Sequence, residues 1–263
     1  MTDHLAAILS RKALEVARRR AHPRTWPDDG LDRGPRARAA LRRTPGAPLK
    51  VVAEIKRRSP SAGLLRAGRP GDIAAVSRAY VEAGASAVSV LADGPGFGGS
   101  VLDVRRACMA VSVPVLFKEF VIDDVQVRAA RAAGASLVLL LVRALPGERL
   151  RRMVAEVRAM GMEPLVEAAD VDELSRALST DATVVGVNAR DLRRFTLDPE
   201  GAERALREVP NDRIAVYMSG VENRARMTAI ARGRPDAVLL GTELMRAPCP
   251  GARLAEILGA EGP

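Results

Sequence analysis

Short apolar runs alternate with amphipathic stretches along this chain from about residue 50 onward, and the alternation occurs eight times. The runs are almost continuously apolar, which is typical of parallel strands that are buried on both faces. The stretches between them have the periodicity of helices that pack one face against a sheet. The pattern predicts strands at Val51–Ile55, Ala87–Leu91, Val113–Phe117, Leu137–Val142, Glu163–Val166, Val184–Val187, Ile214–Met218 and Ala237–Leu240. It predicts helices at Ile73–Ala83, Leu102–Ala110, Val125–Ala133, Glu148–Met160, Val171–Leu178, Glu200–Glu208 and Arg224–Arg232.

Eight successive strand–helix units predict a closed parallel sheet, because roughly 200 residues of such alternation favour a barrel. A doubly wound open sheet is the alternative, but no Gly-x-Gly-x-x-Gly motif follows the first strand. A weak internal repeat supports regular units, since Gly84-Ala85-Ser86 and Gly134-Ala135-Ser136 each end a helix and begin a strand. The expected fold class is α/β, a single (β/α)8 TIM barrel with an N-terminal helical extension.

The chain is predicted to have one large part and one small part. Residues 49–263 are expected to form the barrel domain. Residues 1–48 contain a predicted helix at about Asp3–Arg19 and then a Pro/Gly-rich connector. We expect this extension to act as a lid or cap on the barrel rather than as a domain of its own.

The net charge of +9 makes nucleic-acid binding an alternative. The arginines are scattered along predicted helices, and the one dense stretch, Arg33 to Arg43, lies in the connector. The aromatic residues are four Phe, two Tyr and one Trp, whereas a single-strand binder would interleave many aromatic residues with its positive charge. We therefore expect no nucleic-acid partner, and a phosphorylated small molecule remains compatible with the charge.

The sequence lacks the patterns that are typical of membrane spans, signal peptides, disulfide frameworks and metal clusters. No window approaches the roughly 18 consecutive apolar residues of a membrane span. The apolar stretch Leu5–Leu9 is too short for the core of a signal peptide and runs into Arg11 and Lys12. Cys108 and Cys249 are too few for a disulfide framework or a metal cluster. The sequence predicts a cytoplasmic protein with no membrane partner, metal or cofactor, as a monomer or a weak homodimer.

Lysine is rare in this chain, and two of its four lysines close predicted strands. The 41 basic residues otherwise comprise 37 arginines. Arginine stays charged at any working pH, whereas burial can depress the pKa of a lysine until it gives and takes protons. Lys56 and Lys118 are therefore interpreted as titratable amines that the reaction requires. The alternative is that they are two ordinary surface lysines.

Further polar residues concentrate at the C-terminal ends of the predicted strands, where barrel enzymes place their chemistry. Glu54 and Lys56 point to the same face because side chains alternate along a strand. Neither His4 nor His22 lies on the barrel, so lysines and carboxylates are the expected acids and bases of a metal-free lyase or isomerase. Glycines after the last two strands, with a short helix N-terminus, suit a phosphate. The strand-end residues are Glu54, Lys56, Lys118, Glu167, Asn188, Arg190, Ser219, Gly220, Gly241 and Thr242.

The first strand ends in a long motif, EIKRRSPSAG from Glu54 to Gly63, that resembles the signature of indole-3-glycerol-phosphate synthases. Shorter motifs of that family follow in order, and the resemblance covers about residues 50–246. They are Phe97–Ser100, Phe117–Phe120, Leu165–Glu167, Gly186–Leu192, Ser219-Gly220 and Gly241–Arg246. The resemblance implies a decarboxylating lyase of tryptophan biosynthesis. Its reaction closes a ring in 1-(2-carboxyphenylamino)-1-deoxyribulose 5-phosphate, with loss of CO2 and water, to give indole-3-glycerol phosphate.

The resemblance also implies a role for each matching residue. Lys118 matches the general acid that protonates the substrate carbonyl, and Lys56 matches a second lysine near the substrate hydroxyl and carboxylate. Glu167 matches a base or a cation-stabilising carboxylate, and Glu54 with Asn188 matches the pair that assists dehydration. The implied substrate-binding residues are Arg190 for the anthranilate part, Phe97 and Phe120 for the aromatic ring, Arg58, Ser219, Gly220, Gly241 and Thr242 for the phosphate, and Ser59 as a further contact.

The chain departs from the family pattern at several positions. A glutamate usually precedes the Ser-Gly after the seventh strand, and Met218 stands there instead, so an acceptor for substrate hydroxyls is expected to be missing. Phe117 replaces an arginine, Ala168-Ala169 replaces Val-His, and Arg143 intrudes after the fourth strand. These changes fit a diverged paralogue in a specialised indole pathway as well as they fit an enzyme of tryptophan synthesis.

Three functions remain open from the sequence, and the first is this synthase. The second is another phosphosugar enzyme such as phosphoribosylanthranilate isomerase, which would need a Cys at the end of the first strand. The third is a degenerate barrel kept as a binding protein, although five of the six matched acid–base positions are intact. The structural alternative is that Glu54, Lys56 and Lys118 form ion pairs that only fill the barrel top, with Glu167 and Asn188 as polar filler.

Overall fold

The computed structural model describes residues 4–22, 32–60, 62–68, 72–193 and 196–259. Asp3 of the predicted N-terminal helix, residues 23–31 of the predicted connector and Ser61 of the signature motif lie outside this part of the chain. None of the described helices is long and apolar enough to cross a membrane.

Eight parallel strands form a closed barrel, which confirms the predicted (β/α)8 TIM barrel with an N-terminal helical extension. Each strand pairs with its neighbours in the sequence, and the first strand pairs with the last to close the sheet. The strands are β1 (Lys50–Ile55), β2 (Ala87–Leu91), β3 (Val115–Lys118), β4 (Leu137–Leu141), β5 (Glu163–Ala168), β6 (Val184–Asn188), β7 (Ile214–Met218) and β8 (Ala237–Leu240). An antiparallel hairpin of Arg58–Ser59 with Gly63–Leu64 follows β1.

Helices separate the strands, and the seven that were predicted agree with the structure to within one residue at each end. Short polar side chains begin several of them, because an N-cap oxygen satisfies a free backbone N–H group. Asp123 caps one such helix and Asp170 another. The described helices are α1 (His4–Ala21), α2 (Gly34–Leu41), α3 (Asp72–Glu82), α4 (Gly94–Phe97), α5 (Val101–Ala110), α6 (Asp124–Ala133), α7 (Glu148–Ala159), α8 (Val171–Leu178), α9 (Pro199–Arg207), α10 (Arg224–Ala231), α11 (Thr242–Arg246) and α12 (Pro250–Leu258).

Four strand boundaries differ from the prediction in ways that matter for the site. β3 begins at Val115 rather than Val113, because Pro114 has no N–H group to donate to a neighbouring strand. β4 ends at Leu141, and the chain continues as a 3-10 turn over Val142–Ala144. β5 and β6 extend further than predicted, so that Glu167 and Asn188 lie within hydrogen-bonded strands instead of in loops.

The barrel wall separates two apolar clusters, as β1 illustrates. Val51, Ala53 and Ile55 belong to the outer cluster between sheet and helices, whereas Val52 belongs to the inner cluster that fills the barrel. This alternation follows from the period of two along a strand. Each fully buried side chain of this size contributes about 1.5–3 kcal/mol to stability. Other inner residues are Leu116, Leu139, Leu165, Val216 and Leu239.

Helix α2 covers the N-terminal end of the barrel and was not predicted. Pro35 in its first turn presets a helical φ, and Ala37 and Leu41 are buried four residues apart. Arg38 donates a 2.6 Å hydrogen bond to Glu163 at the start of β5. The prediction of a Pro/Gly-rich connector is therefore wrong over Gly34–Leu41. Two buried side chains are enough to pack this short helix against the barrel, while its arginines remain half-buried or exposed.

Helix α1 lies over the opposite, C-terminal end of the barrel. Its Leu5 and Ile8 belong to the same apolar cluster as Phe120 and Leu141. Its Lys12 reaches carboxylates that follow β2 and β3. The two segments that precede β1 thus cover the two ends of the barrel, with α1 next to the mouth where the polar strand ends meet.

Candidate active site

A cavity of about 260 Å³ opens at the C-terminal ends of the barrel strands. Its walls combine a charged region with an apolar region formed by leucines of β2, β4 and β8 and by Met218. The predicted site residues that line it are Glu54, Lys56, Ser59, Phe97, Lys118, Phe120, Glu167, Asn188, Arg190, Ser219, Gly220, Gly241 and Thr242. The structure therefore brings together all of the predicted site residues except Arg58.

Two lysines and two carboxylates form a connected charged group in this cavity. The Nζ of Lys56 lies 2.5 Å from Oε1 of Glu54. The Nζ of Lys118 lies 3.7 Å from Oε2 of Glu54 and 3.8 Å from Oε2 of Glu167, slightly beyond hydrogen-bonding distance. Asn188 completes the group, because its Nδ2 donates a 2.9 Å hydrogen bond to Oε1 of Glu167. The ammonium group of Lys118 thus lies between two carboxylates without a direct hydrogen bond to either.

The barrel register explains why these side chains meet at one level. Lys118 pairs with Leu91 across β2 and β3, and Glu167 pairs with Leu141 across β4 and β5. Lys118 is the last residue of β3, and Glu167 lies one residue before the end of β5. Since the strands are fixed by hydrogen bonds on both sides, the charged group is held by the barrel itself rather than by flexible loops.

The charge state of Glu54 follows from its two lysine partners. Burial by itself would raise the pKa of this carboxyl group, because water is excluded from it. The positive charges of Lys56 and Lys118 outweigh burial and bring the pKa of Glu54 below its ordinary value of 4.5. Glu54 is therefore ionised at neutral pH, and it binds both lysines as an anion.

Phe97 and Phe120 form the aromatic wall of the cavity. Their ring centroids are 5.9 Å apart with an interplanar angle of 37°, a tilted contact of the kind that aromatic pairs favour. Phe120 is buried and Phe97 is half-buried. A cavity with this wall and the charged group suits a ligand that joins a flat ring to anionic and hydroxyl groups.

The turn after β7 has an unusual backbone. Ser219 has a φ of 72° and Gly220 a φ of 71°, and Ser219 is the one non-glycine residue of the described chain with a positive φ. A left-handed serine costs on the order of 1–3 kcal/mol and is found chiefly where a site requires it. Gly241 follows the neighbouring strand β8 and is buried against Glu54.

Arg190 and Ser59 are held in place by their neighbours, whereas Arg58 points away. The N–H of Arg190 donates a 2.9 Å hydrogen bond to Oδ1 of Asn188, and burial lowers the pKa of the Arg190 side chain against the opposing charge of Glu222. The Oγ of Ser59 accepts a 3.2 Å hydrogen bond from the N–H of Ala62. Arg58 is exposed and does not line the cavity, so its phosphate role rests on the sequence resemblance alone.

The sequence patterns did not predict a buried charged cluster that lies beside the cavity. Lys12 of α1 binds Glu15, Asp93 and Glu119, with distances of 2.8, 2.7 and 3.0 Å from its Nζ. A signal existed, because Lys12 falls at helical spacing within the buried face formed by Leu5, Ile8 and Val16. A lysine on the apolar face of a helix needs a buried partner.

Ser89 was missed as well. It lies on β2 directly opposite Glu54, is fully buried, and its Oγ has no hydrogen-bond partner among the described residues. Ser89 does not line the cavity, so its hydroxyl is a buried polar group within the barrel wall next to β1. The continuous apolar run of β2 concealed it, since a serine inside such a run is usually ordinary core filling.

Two departures from the family pattern, Met218 and Arg143, are explained by the contacts that their side chains make. Met218 is buried, and its Sδ occupies the space that a Cβ on Gly186 would need, 2.5 Å away. Arg143 forms ion pairs with Glu173 (Nε to Oε1, 2.7 Å) and with Asp191 (Nη1 to Oδ1, 2.9 Å). These ion pairs link the segments that follow β4, β5 and β6. Arg143 thus stabilises the rim of the barrel, whereas Met218 fills space inside it.

Comparison with known proteins assigns the chain to one family. The family model described as indole-3-glycerol phosphate synthase matches residues 5–257. The indole-3-glycerol phosphate synthase of Koribacter versatilis is 38% identical over 262 residues, which cover 98% of this chain and 100% of that protein. The indole-3-glycerol phosphate synthase 2 of Streptomyces coelicolor is 42% identical over 263 residues, again 98% of this chain and 100% of that protein.

A more distant solved structure shares the fold alone. The N-acetylmannosamine-6-phosphate 2-epimerase from Clostridium perfringens has a TM-score of 0.58 at 12% identity, over 74% of this chain and 86% of that chain. The sequence matches are far closer and extend over nearly the whole chain. They show that this chain belongs to the indole-3-glycerol phosphate synthase family.

Proposed function

We propose that the protein converts 1-(2-carboxyphenylamino)-1-deoxyribulose 5-phosphate into indole-3-glycerol phosphate, with loss of CO2 and water. The observation that carries the proposal is the position of Lys118, between two carboxylates and beside an aromatic wall in one cavity. Family membership supports the same reaction. If these ion pairs only filled the mouth of the barrel, we would expect no open cavity around Lys118.

Lys118 is proposed as the general acid of ring closure. In this step the aromatic carbon that bears the carboxylate attacks the substrate carbonyl, and the carbonyl oxygen takes up a proton. The lysine ammonium group has three N–H donors, and neither Glu54 nor Glu167 accepts a direct hydrogen bond from it. Its N–H groups are therefore in a position to donate to a substrate oxygen.

Two carboxylates, Glu54 beside Lys56 and Glu167 beside Asn188, are proposed to act after ring closure. In the dehydration step the hydroxyl group is proposed to leave as water with a proton from the ammonium group of Lys56, and the ionised Glu54 beside it to accept the proton that the new ring releases. Lys56 would then lie near the substrate hydroxyl and carboxylate. Glu167, oriented by the Nδ2 of Asn188, is proposed as the base or as the anion that stabilises the positive charge that develops on the substrate.

The remaining predicted residues are proposed as substrate contacts. Phe97 and Phe120 would pack on the anthranilate ring, and Arg190 would bind its carboxylate. Backbone N–H groups of the turns after β7 and β8 suit the phosphate group. These proposed phosphate ligands are Ser219, Gly220, Gly241 and Thr242, with Ser59 as a further contact on the rim.

We also propose three general properties. Residues 1–48 act as a cap, since α1 lies against the mouth of the barrel. The reaction takes place in the cytoplasm, because a sugar phosphate is too polar to leave the cell unaided. The protein is a monomer or a weak homodimer, because large exposed apolar side chains are scattered over separate elements, as Leu14, Met109 and Val171 show.

The direct test is turnover by the purified protein, followed by the fluorescence of the indole product. The proposal predicts product formation from the carboxyphenylamino-deoxyribulose phosphate and none from phosphoribosylanthranilate. Turnover of the second compound would favour the isomerase instead. Binding of the first compound without product would favour a non-catalytic barrel.

A further inference from the structure

The buried lysine of α1 connects two separate segments at the mouth of the barrel. The side chain of Lys12 is 1% exposed, and its Nζ contacts Asp93 after β2 and Glu119 after β3. Burial by itself would lower the pKa of Lys12, but Glu119 and Asp93 raise it above its ordinary value. Lys12 is therefore a charged contact between α1 and two parts of the rim.

Each of these carboxylates also binds the backbone at a phenylalanine of the cavity. Oδ2 of Asp93 accepts a 2.7 Å hydrogen bond from the N–H of Gly96 and thereby caps the short helix that ends at Phe97. Oε1 of Glu119 accepts a 2.8 Å hydrogen bond from the N–H of Phe120. In both cases one carboxylate oxygen meets Lys12, while the other fixes a segment that carries an aromatic ring.

We propose that Lys12 is a positioning residue that sets the spacing and tilt of the Phe97–Phe120 pair, and through it the binding of the substrate's aromatic ring. The inference rests on the proposed function, because it assumes a substrate with such a ring. The two rings, 5.9 Å apart, come from segments that follow different strands. Their relative position is set by whatever holds these segments together.

The charges around Lys12 explain why its loss would move the rings. Glu15, Asp93 and Glu119 surround one ammonium group, and without it the two buried carboxylates of Asp93 and Glu119 would face each other. Like charges in a buried setting repel strongly or force one group to take up a proton. Either response changes the hydrogen bonds at Gly96 and Phe120.

The first test compares Lys12→Met with Arg18→Met, which replaces an exposed cation of the same helix. Lys12→Met should raise the KM for the carboxyphenylamino substrate about tenfold, since loss of one aromatic contact is of that size. The inhibition constant of inorganic phosphate, which lacks a ring, should stay unchanged. Arg18→Met should change neither constant.

A general weakening of the fold would give a different result. Val16→Ala loosens the packing of α1 without removing a partner of Asp93 or Glu119, and it should lower the unfolding temperature while both constants stay as in wild type. Lys12→Arg, which keeps the charge, should recover most of the lost affinity for the substrate. If Lys12→Met does not fold, Glu119→Gln takes its place, because it puts an NH2 group, which donates and does not accept, in the position of one of the two oxygens that bind Lys12 and the N–H of Phe120.

Three results would overturn the inference. They are an unchanged KM in Lys12→Met (or in its substitute), a rise in the KM and the phosphate inhibition constant by the same factor, and a Val16→Ala variant that reproduces the Lys12→Met pattern. The proposed function fails separately, if wild-type protein forms no product from the substrate, and the role of Lys12 then fails with it.

Discussion

Gly241 and Glu54 approach each other so closely that no side chain fits between them. A Cβ atom on Gly241 would lie 2.7 Å from the Cβ of Glu54 and 2.9 Å from its Oε1. The φ of Gly241 is −157°, a value that any residue adopts. Glycine is therefore required because there is no room for a Cβ atom, and not because of the backbone conformation. The end of β8 therefore holds the carboxylate of β1 against its two lysines.

Gly241→Ala should consequently reduce kcat by about 10²-fold, because a displacement of roughly 1 Å in a catalytic group has an effect of that size. The measurement is steady-state turnover with the carboxyphenylamino substrate. Gly34→Ala is the matched control, since a Cβ there meets its nearest atoms at 3.4 Å, at the other end of the barrel. Equal activity of the two variants would show that Glu54 tolerates the displacement.

Met218→Ala should destabilise the protein by about 2–5 kcal/mol, because a buried methionine is removed from above Gly186 and leaves a cavity. The free energy of unfolding in urea measures this loss. Met109→Ala changes the same residue type at a position that is 78% exposed, and it should leave the unfolding free energy unchanged. A Met218→Ala variant as stable as wild type would remove the packing role of this residue.

The depressed pKa of Glu54 predicts a specific dependence of stability on pH. The folded-state pKa lies below the ordinary value of 4.5, so the ionised group stabilises the fold above pH 4.5. This contribution is lost as the pH falls through the lower, folded-state pKa. In Glu54→Gln the group is absent, and the unfolding free energy should fall less steeply below pH 4.5 than in wild type.

Urea unfolding of wild type and Glu54→Gln at a series of pH values tests this dependence. Glu148→Gln removes an exposed carboxylate instead and serves as the control. Parallel curves for wild type and Glu54→Gln in the acidic range would contradict the assigned ion pairs of Glu54.

The strand ends were predictable because two simple rules act together. Strands buried on both faces appear as continuous apolar runs, and parallel strands bring their C-terminal ends to one side. Glu54, Lys56 and Lys118 could therefore be assigned to one site from their positions alone. The length of β5 and β6 was underestimated, since polar Glu167 and Asn188 interrupt the apolar pattern although they pair within the sheet.

Contacts between distant segments were beyond the sequence patterns. Lys12 and Glu119 are separated by 107 positions, and only the docking of α1 on the rim brings them together. Helix α2 was concealed by its arginines, because it is short and just two of its side chains, Ala37 and Leu41, are buried. For Arg58 the motif predicted a phosphate contact, but a motif does not determine where a long side chain on a hairpin points.

Lys118→Arg is the most direct test of the central claim, that this lysine supplies the proton for ring closure. Arginine keeps the positive charge near Glu54 and Glu167 but does not give up a proton at working pH. The account predicts a fall in kcat of about 10²- to 10⁴-fold, measured by indole fluorescence, with a folded protein. Lys50→Arg makes the same change at the start of β1, far from the mouth, and should keep wild-type activity. A Lys118→Arg variant as active as Lys50→Arg would contradict the account.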